Sequence, residues 1–357
     1  MGQFRKRLVM MAAAGVFAVS SLMGCSSRSI DSSAVVAQVG DEKIPLGVAN
    51  FYARLQQAQT ESYYMSLLNM SGDDMWTQDM GDGKTYEETT KENILKSLED
   101  LYLLKQNMGT YGVELTKEDE KAIDDAAALF VKDNSDKGKE AVSGEEQYVK
   151  TFLELITIQS KMDGPMKEGV NEEVSDDEAA QKSMEYVFLS YTKNTDDGST
   201  EQMSDDEKAS LKETAQKIAD RLNNGETVDA AATAEGQKML TATFDSSSTS
   251  PSQDLVKAAD ALGAEGDVTG VVETDNGLYV AKLISMMDRE ATDSKKVSIV
   301  NERKQTQYDS LLEQWRKDTE IKEHKDVWKQ VSFADQGISI KQTTQETTGG
   351  DSSESNK

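Results

Sequence analysis

The sequence predicts an α+β fold: a mainly helical domain formed by the N- and C-terminal segments, with a smaller domain of helices on a small antiparallel sheet inserted between them. Three observations carry this. Apolar residues recur at helical spacing through the first half of the chain, as in Ile94, Leu95, Leu98, Leu101, Tyr102 and Leu104. From Met184 the pattern changes to strand and helix by turns, ending in two β-rich runs around Asn276 and Gly277. A last helical stripe of Val297, Val300, Tyr308, Leu311, Leu312 and Trp315 has no partner of its own and must bury against the helices of the first half.

The chain opens with Arg5, Lys6 and Arg7 ahead of an apolar run from Leu8 to Val19, the pattern of an export signal. About twenty apolar residues are needed to span a bilayer, so this shorter run reads as a removed leader. Leu22, Met23, Gly24 and Cys25 resemble a bacterial lipobox, which implies cleavage before Cys25 and a diacylglyceryl group on its sulfur. Two acyl chains at one site meet the requirement for stable anchoring on the extracytoplasmic face of the cell membrane. Cys25 is the only cysteine, so no disulfide within one molecule can brace the fold.

A Ser-rich tether follows, then a strand-like stretch Val35 to Val39, a Gly40-Asp41 turn and Ile44. Beyond the stripe at Ile94 to Leu104, two more appear: Ile123, Ala126, Ala127 and Phe130, then Tyr148, Phe152, Leu155 and Ile156. Ser143 with Glu146, Ser175 with Glu178 and Ser204 with Glu207 are spaced as capping boxes and mark three helix starts.

In the inserted part, Met184 to Thr192 reads as a buried strand and Lys193 to Ser199 as a loop. Leu211, Ala215, Ile218 and Leu222 form a helical stripe stopped by Gly225. A helical piece Val228 to Ala234, a strand Leu240 to Phe244 and a helix from Gln253 to Leu262 come next. Val268 to Thr274 and Leu278 to Ile284 close the domain as a hairpin whose Asn276-Gly277 loop calls for positive φ at both positions. The expected boundaries are a signal peptide over 1–24, a lipidated tether over 25–33, an N-terminal helical domain over 34–172, the inserted domain over 183–289, returning helices over 294–335 and a disordered tail over 342–357.

The 357 residues include 39 basic and 65 acidic ones, a net charge of −26. Removing residues 1–24 takes away three basic residues and no acidic ones, leaving 36 against 65, or −29. Such a surface repels phosphate backbones, which excludes nucleic acid as a partner and confines membrane attachment to the lipid. The single histidine, His324, the lone cysteine and the lack of a Gly-rich phosphate loop leave no metal or cofactor site to expect.

With this order of elements, several stretches resemble the PrsA-like and SurA-like extracytoplasmic foldases. Val35 to Tyr52 (VVAQVGDEKIPLGVANFY) is similar to that family's entry strand, turn and first helix, and Val174 to Glu178 to its connector. Val256 to Leu262 (VKAADAL) is similar to a helix, and Gly277 to Leu283 (GLYVAKL) to the last strand, of its parvulin-type (PpiC) peptidyl-prolyl isomerase domain. The resemblance covers most of the chain after the leader. It implies a helical chaperone domain around a parvulin-like domain, unfolded or nascent exported proteins as partners, and room for a homodimer.

Carried over residue by residue, the resemblance places Tyr186 and Tyr279 where the family has its two histidines, and Leu255 where it has a phenylalanine. A Ser/Thr loop from Phe244 to Ser252 replaces a glycine-rich segment, and Pro251 lies near a usual methionine. Turning a prolyl bond requires holding the twisted amide better than the planar one, against about 18–20 kcal/mol. A pocket so altered implies a weak or inactive isomerase, with client binding as the main function. Met65, Met70, Met75, Trp76 and Met80, set among Gly and Asp, are the candidates for an adaptable client-binding surface. Two alternatives stand beside this reading: an active parvulin-type isomerase, and a transporter's solute-binding lipoprotein, which would need repeated strand–helix units.

Overall fold

The computed structural model describes residues 16–20, 30–68, 72–81, 83–195, 198–334 and 337–341. Cys25, Met70 and the tail 342–357 lie outside the described residues, as does most of the leader. The chain divides into two compact units, one of residues 1–168 and 306–357, the other of 169–305.

The first unit begins with β1 (Val16–Ser20) and a hairpin of β2 (Val35–Val39) and β3 (Glu42–Pro45). Gly40 turns this hairpin at φ 57°, a left-handed conformation open to glycine. Helices α1 (Leu46–Leu68), α2 (Gly72–Trp76), α3 (Tyr86–Asn107), α4 (Lys117–Asp133), α5 (Asp136–Val142) and α6 (Glu146–Met166) follow. The stripes read from the sequence are their buried faces: Leu98, Leu101 and Leu104 on α3, Ile123 and Phe130 on α4, Phe152 and Leu155 on α6. Phe130 and Phe152 both meet Phe51 of α1 edge-on, at 5.2 and 5.6 Å between ring centres.

Helix α1 also buries a polar ladder. Arg54 donates to Asn50 at 3.2 Å and to Gln57 at 2.6 Å, Gln57 donates to Glu61 at 2.7 Å, and Asn50 donates to Ser143 Oγ at 3.0 Å. Four polar side chains removed from water are tolerable because each finds partners. Ser143 was expected to cap α6. Its hydroxyl instead meets Asn50 and Ser32, its backbone is left-handed at φ 52°, and Glu145 takes the cap position without a side-chain bond. Complete capping boxes start α3 at Thr85 with Glu88 and α4 at Thr116 with Asp119.

The second unit starts with the short α7 (Asp176–Ala179), capped by Ser175, and β4 (Lys182–Ser190). The loop expected over Lys193 to Ser199 is spanned by a small hairpin of β5 (Thr192–Asn194) and β6 (Thr200–Gln202). Then come α8 (Asp205–Asn223), α9 (Val228–Ala234), β7 (Met239–Phe244), α10 (Gln253–Asp260), β8 (Val268–Thr274) and β9 (Gly277–Ser285). The expected box of Ser204 with Glu207 opens α8, and Gly225 beyond its end takes φ 92°.

Four strands form one antiparallel sheet in the order β7-β4-β9-β8. The β8–β9 hairpin is present with a corrected turn. Its loop residues are Asp275 and Asn276, neither at positive φ, while Gly277 pairs with Thr274 at φ 154°. Gly277 is needed for closeness: a Cβ there would lie 2.2 Å from the Leu189 carbonyl oxygen and 2.8 Å from the Phe188 ring.

The chain closes with α11 (Arg289–Asp318), β10 (Ile321–Glu323), α12 (Lys325–Trp328) and β11 (Gly337–Lys341). In the first unit Tyr308 is buried and Leu311, Leu312 and Trp315 pack on the core, as their stripe predicts. Val297 does not follow; it is 62% exposed. Arg316 donates to Glu99 at 2.6 Å and to Asp100 at 2.5 Å. Strand β10 pairs with β2, and β11 with β1, both antiparallel. The fold is the α+β arrangement expected: a mainly helical unit from both ends of the chain, with an inserted unit built on a small antiparallel sheet. Every described strand pairing is antiparallel, which leaves the solute-binding alternative without its repeated strand–helix units. No helix among the described residues is long and apolar enough to cross a membrane.

Candidate peptide-binding site

Strand alternation sorts the inserted sheet into two faces. Val187, Leu189, Leu278 and Val280 point to one, where Ala215, Ile218 and Leu222 of α8 and Val228 and Ala231 of α9 cover them; all are buried. Met184, Tyr186, Phe188, Tyr279, Ala281 and Leu283 point to the other, where the cover is the shorter α10 with Leu255, Val256 and Ala259.

This second face holds all three residues singled out by resemblance. Tyr186 stands between Leu240 of β7 and Ala281 of β9, and Tyr279 between Phe188 of β4 and Val272 of β8. Their ring centres are 6.1 Å apart, and Tyr279 stacks on Phe188 at 4.5 Å and 29°. Leu255 is fully buried in the same cluster. Tyr186 and Tyr279 are themselves mostly buried, while Leu240 is 44% exposed and Phe188 and Val272 are half-buried. The result is an aromatic ledge beside α10, apolar in its floor and open at one margin.

Burial pushes the Tyr186 phenol above its ordinary pKa; burial and then the neighbouring Tyr186 do the same for Tyr279. Both therefore stay protonated and neutral at physiological pH, able to donate a hydrogen bond but poor as bases. The loop after β7 is tied down by Asp245. Although burial opposes it, hydrogen bonds from Ser247 and Gln181 and the nearby Lys295 hold its carboxyl well below the usual range. Among the described residues no three His, Cys, Asp or Glu side chains gather as metal ligands. The ledge is apolar and aromatic with two neutral phenols; it contains no nucleophile–base pair.

Residues 190–293 match the family model of the PPIC-type PPIASE domain. The chain carries a parvulin-type domain. The match begins at the end of β4, so it takes in Tyr279 and Leu255 and leaves Tyr186 just outside. Among solved structures, the foldase protein PrsA from Streptococcus pneumoniae is similar at 17% identity over 67% of this chain and 91% of its own, with a TM-score of 0.29. PrsA from Bacillus subtilis is similar at 14% identity over 72% of this chain and 98% of its own, with a TM-score of 0.22. One of the SurA-like chaperones of Campylobacter jejuni is similar at 14% identity over 82% of this chain and 99% of its own, with a TM-score of 0.27. No curated protein matches.

Phe188, Leu240 and Val272, which shape the rim of the parvulin-type domain's ledge, were not singled out from the sequence. The signal was present in the alternation of Met184, Tyr186 and Phe188, which share a face by strand period. The methionine-rich insert needs correction. Met75 and Trp76 are buried at 2% and 0% exposure instead of forming a surface. The Trp76 indole donates to Glu61 at 2.9 Å and packs on Tyr86 and Phe333 at 5.2 and 4.8 Å, so long-range partners claim it. Met80 is 49% exposed, and Met65 lies in the last turns of α1.

Proposed function

We propose that the protein is an extracytoplasmic chaperone or foldase, held on the membrane by lipid at Cys25 after loss of residues 1–24, that binds unfolded exported polypeptides. The parvulin-type domain contributes the open aromatic ledge of Tyr186, Phe188, Leu240, Val272 and Tyr279. The observation that carries this reading is that ledge: the sheet leaves it half covered where the opposite face is sealed. The exposed Leu240, with half-buried Phe188 and Val272 beside two mostly buried phenols, suits apolar segments of many sequences and selects for no single ligand.

The same residues argue for weak or absent isomerase activity. Catalysis would require contacts stronger to the twisted prolyl bond than to the planar one, and two phenols stand where the related domains are expected to place imidazoles. The match to the PPIC-type family favours the competing reading, an active isomerase.

Two measurements separate these readings. Light scattering from an unfolded secreted protein should fall when the chain is added at equal molar ratio; no suppression removes the chaperone reading. A protease-coupled proline-peptide assay should give the uncatalysed rate. Brisk turnover lost on Tyr279→Ala would establish the isomerase instead.

A further inference from the structure

The segment Val331–Ala334, between α12 and β11, has much of its main chain held by side chains of α1 and α3. Arg54 donates to the Ser332 carbonyl at 2.9 Å, Gln57 to the Phe333 carbonyl at 3.2 Å, and Lys91 to the Val331 carbonyl. The two Glu87 oxygens accept the successive amides of Phe333 and Ala334 at 2.9 and 3.1 Å. Lys91 and Glu87 steady each other at 3.6 Å. Phe333 fills a socket with Trp76 at 4.8 Å and the Arg54 guanidinium at 5.7 Å from its ring centre, and Val331 is fully buried beside it.

Those five bonds address groups that every polypeptide carries, and only Val331 and Phe333 are recognised by type. That is how a receptor for peptides of varied sequence divides its contacts: main-chain bonds for affinity, side-chain sockets for preference. We propose that this cradle is a second client-binding site, taking segments of the form apolar-x-aromatic from unfolded exported chains, and that Val331–Ala334 is its resident occupant, displaced by exchange. The proposal rests on the client-binding reading above. Tethering gives the resident segment a high effective concentration, so a client competes well only when the resident's own grip is loosened.

Fluorescence anisotropy of a labelled peptide of residues 328–334 (WKQVSFA) on the full chain tests this. Phe333→Ala in the chain should tighten peptide binding at least tenfold over the unsubstituted chain. Replacing the peptide's phenylalanine by alanine, or adding Glu87→Gln to the Phe333→Ala chain, should abolish the gain. Should Phe333→Ala fail to fold by circular dichroism, Val331→Ala loosens the same segment more gently and should give a smaller gain of the same sign. Equal binding by substituted and unsubstituted chains, or a gain indifferent to Glu87→Gln, overturns the cradle. Suppressed aggregation without this peptide pattern leaves the chaperone reading intact and removes the cradle alone; the peptide pattern without suppression removes the chaperone reading and, with it, the cradle's role toward clients, leaving only a groove that exchanges its own segment.

Discussion

The two faces of the inserted sheet are made of similar apolar residues and are covered very differently. Under α8 and α9, Val187, Leu189, Leu278 and Val280 are excluded from solvent to within 1%. Under α10, Phe188 and Val272 stay half-buried and Leu240 is 44% exposed. The nineteen residues of α8 outreach the eight of α10, and at 1.5 Å of rise per residue the shorter helix runs about 12 Å, too little to roof its face. An apolar residue on the sealed face contributes to stability; one on the open margin contributes less, because it stays partly in water.

The sharpest way to break this comparison is Ile218→Ala. It hollows the sealed face and should cost about 2–5 kcal/mol in denaturant unfolding; a cost under about 1 kcal/mol would show that face to be loosely packed. Gly277→Ala comes next. Its methyl group meets the Leu189 carbonyl at the hairpin serving both faces, and the backbone must shift, for about 1–3 kcal/mol.

Leu240→Ser on the open margin should change stability by no more than about 0.5 kcal/mol while weakening aggregation suppression severalfold. A stability loss like that of Ile218→Ala would erase the distinction between the faces. The smallest effect concerns the start of α8. The Lys193 ammonium first, then the Ser204 amide and hydroxyl, draw the Glu207 pKa from 4.5 down to about 2. A carboxyl depressed by folding stabilises above its unfolded value and loses that contribution as pH falls through its folded one. Glu207→Gln should therefore lower the melting temperature slightly at pH 7, and the gap to the unsubstituted chain should close between pH 4.5 and 2.

Where residues speak through their own helix or strand period, the sequence shows their role: the stripes of α3, α4 and α6, the succession of strands and helices along the inserted unit apart from the β5–β6 hairpin, and the Ser204 box all read directly. Thr85 with Glu88 and Thr116 with Asp119 carry the same local signature. Three features depend on distant partners and leave no local trace. Ser143 has a capping signature, yet Asn50, 93 residues away, takes its hydroxyl. Trp76 sits among Gly and Asp like a surface residue until Glu61 and Phe333 enclose it. Glu99 looks like one more solvated acid on α3, yet Arg316 reaches it across 217 residues of sequence. The ledge was half legible: strand alternation aligns Tyr186 with Phe188, but the shortness of α10, which leaves the margin open, is known only once strands and helices are assembled.

Strand β7 is an outer strand, and among the described residues no other strand pairs with its far side. Between Lys238 and Asp245 it carries neither charge nor proline, the two devices that usually keep such a margin from recruiting a neighbour. The net charge of −26 opposes the approach of a second copy instead. As carboxylates protonate and the net charge vanishes near the isoelectric point of about 4.5, copies should begin to zip together along Met239–Phe244, and Thr241→Lys should delay that fibrous precipitation.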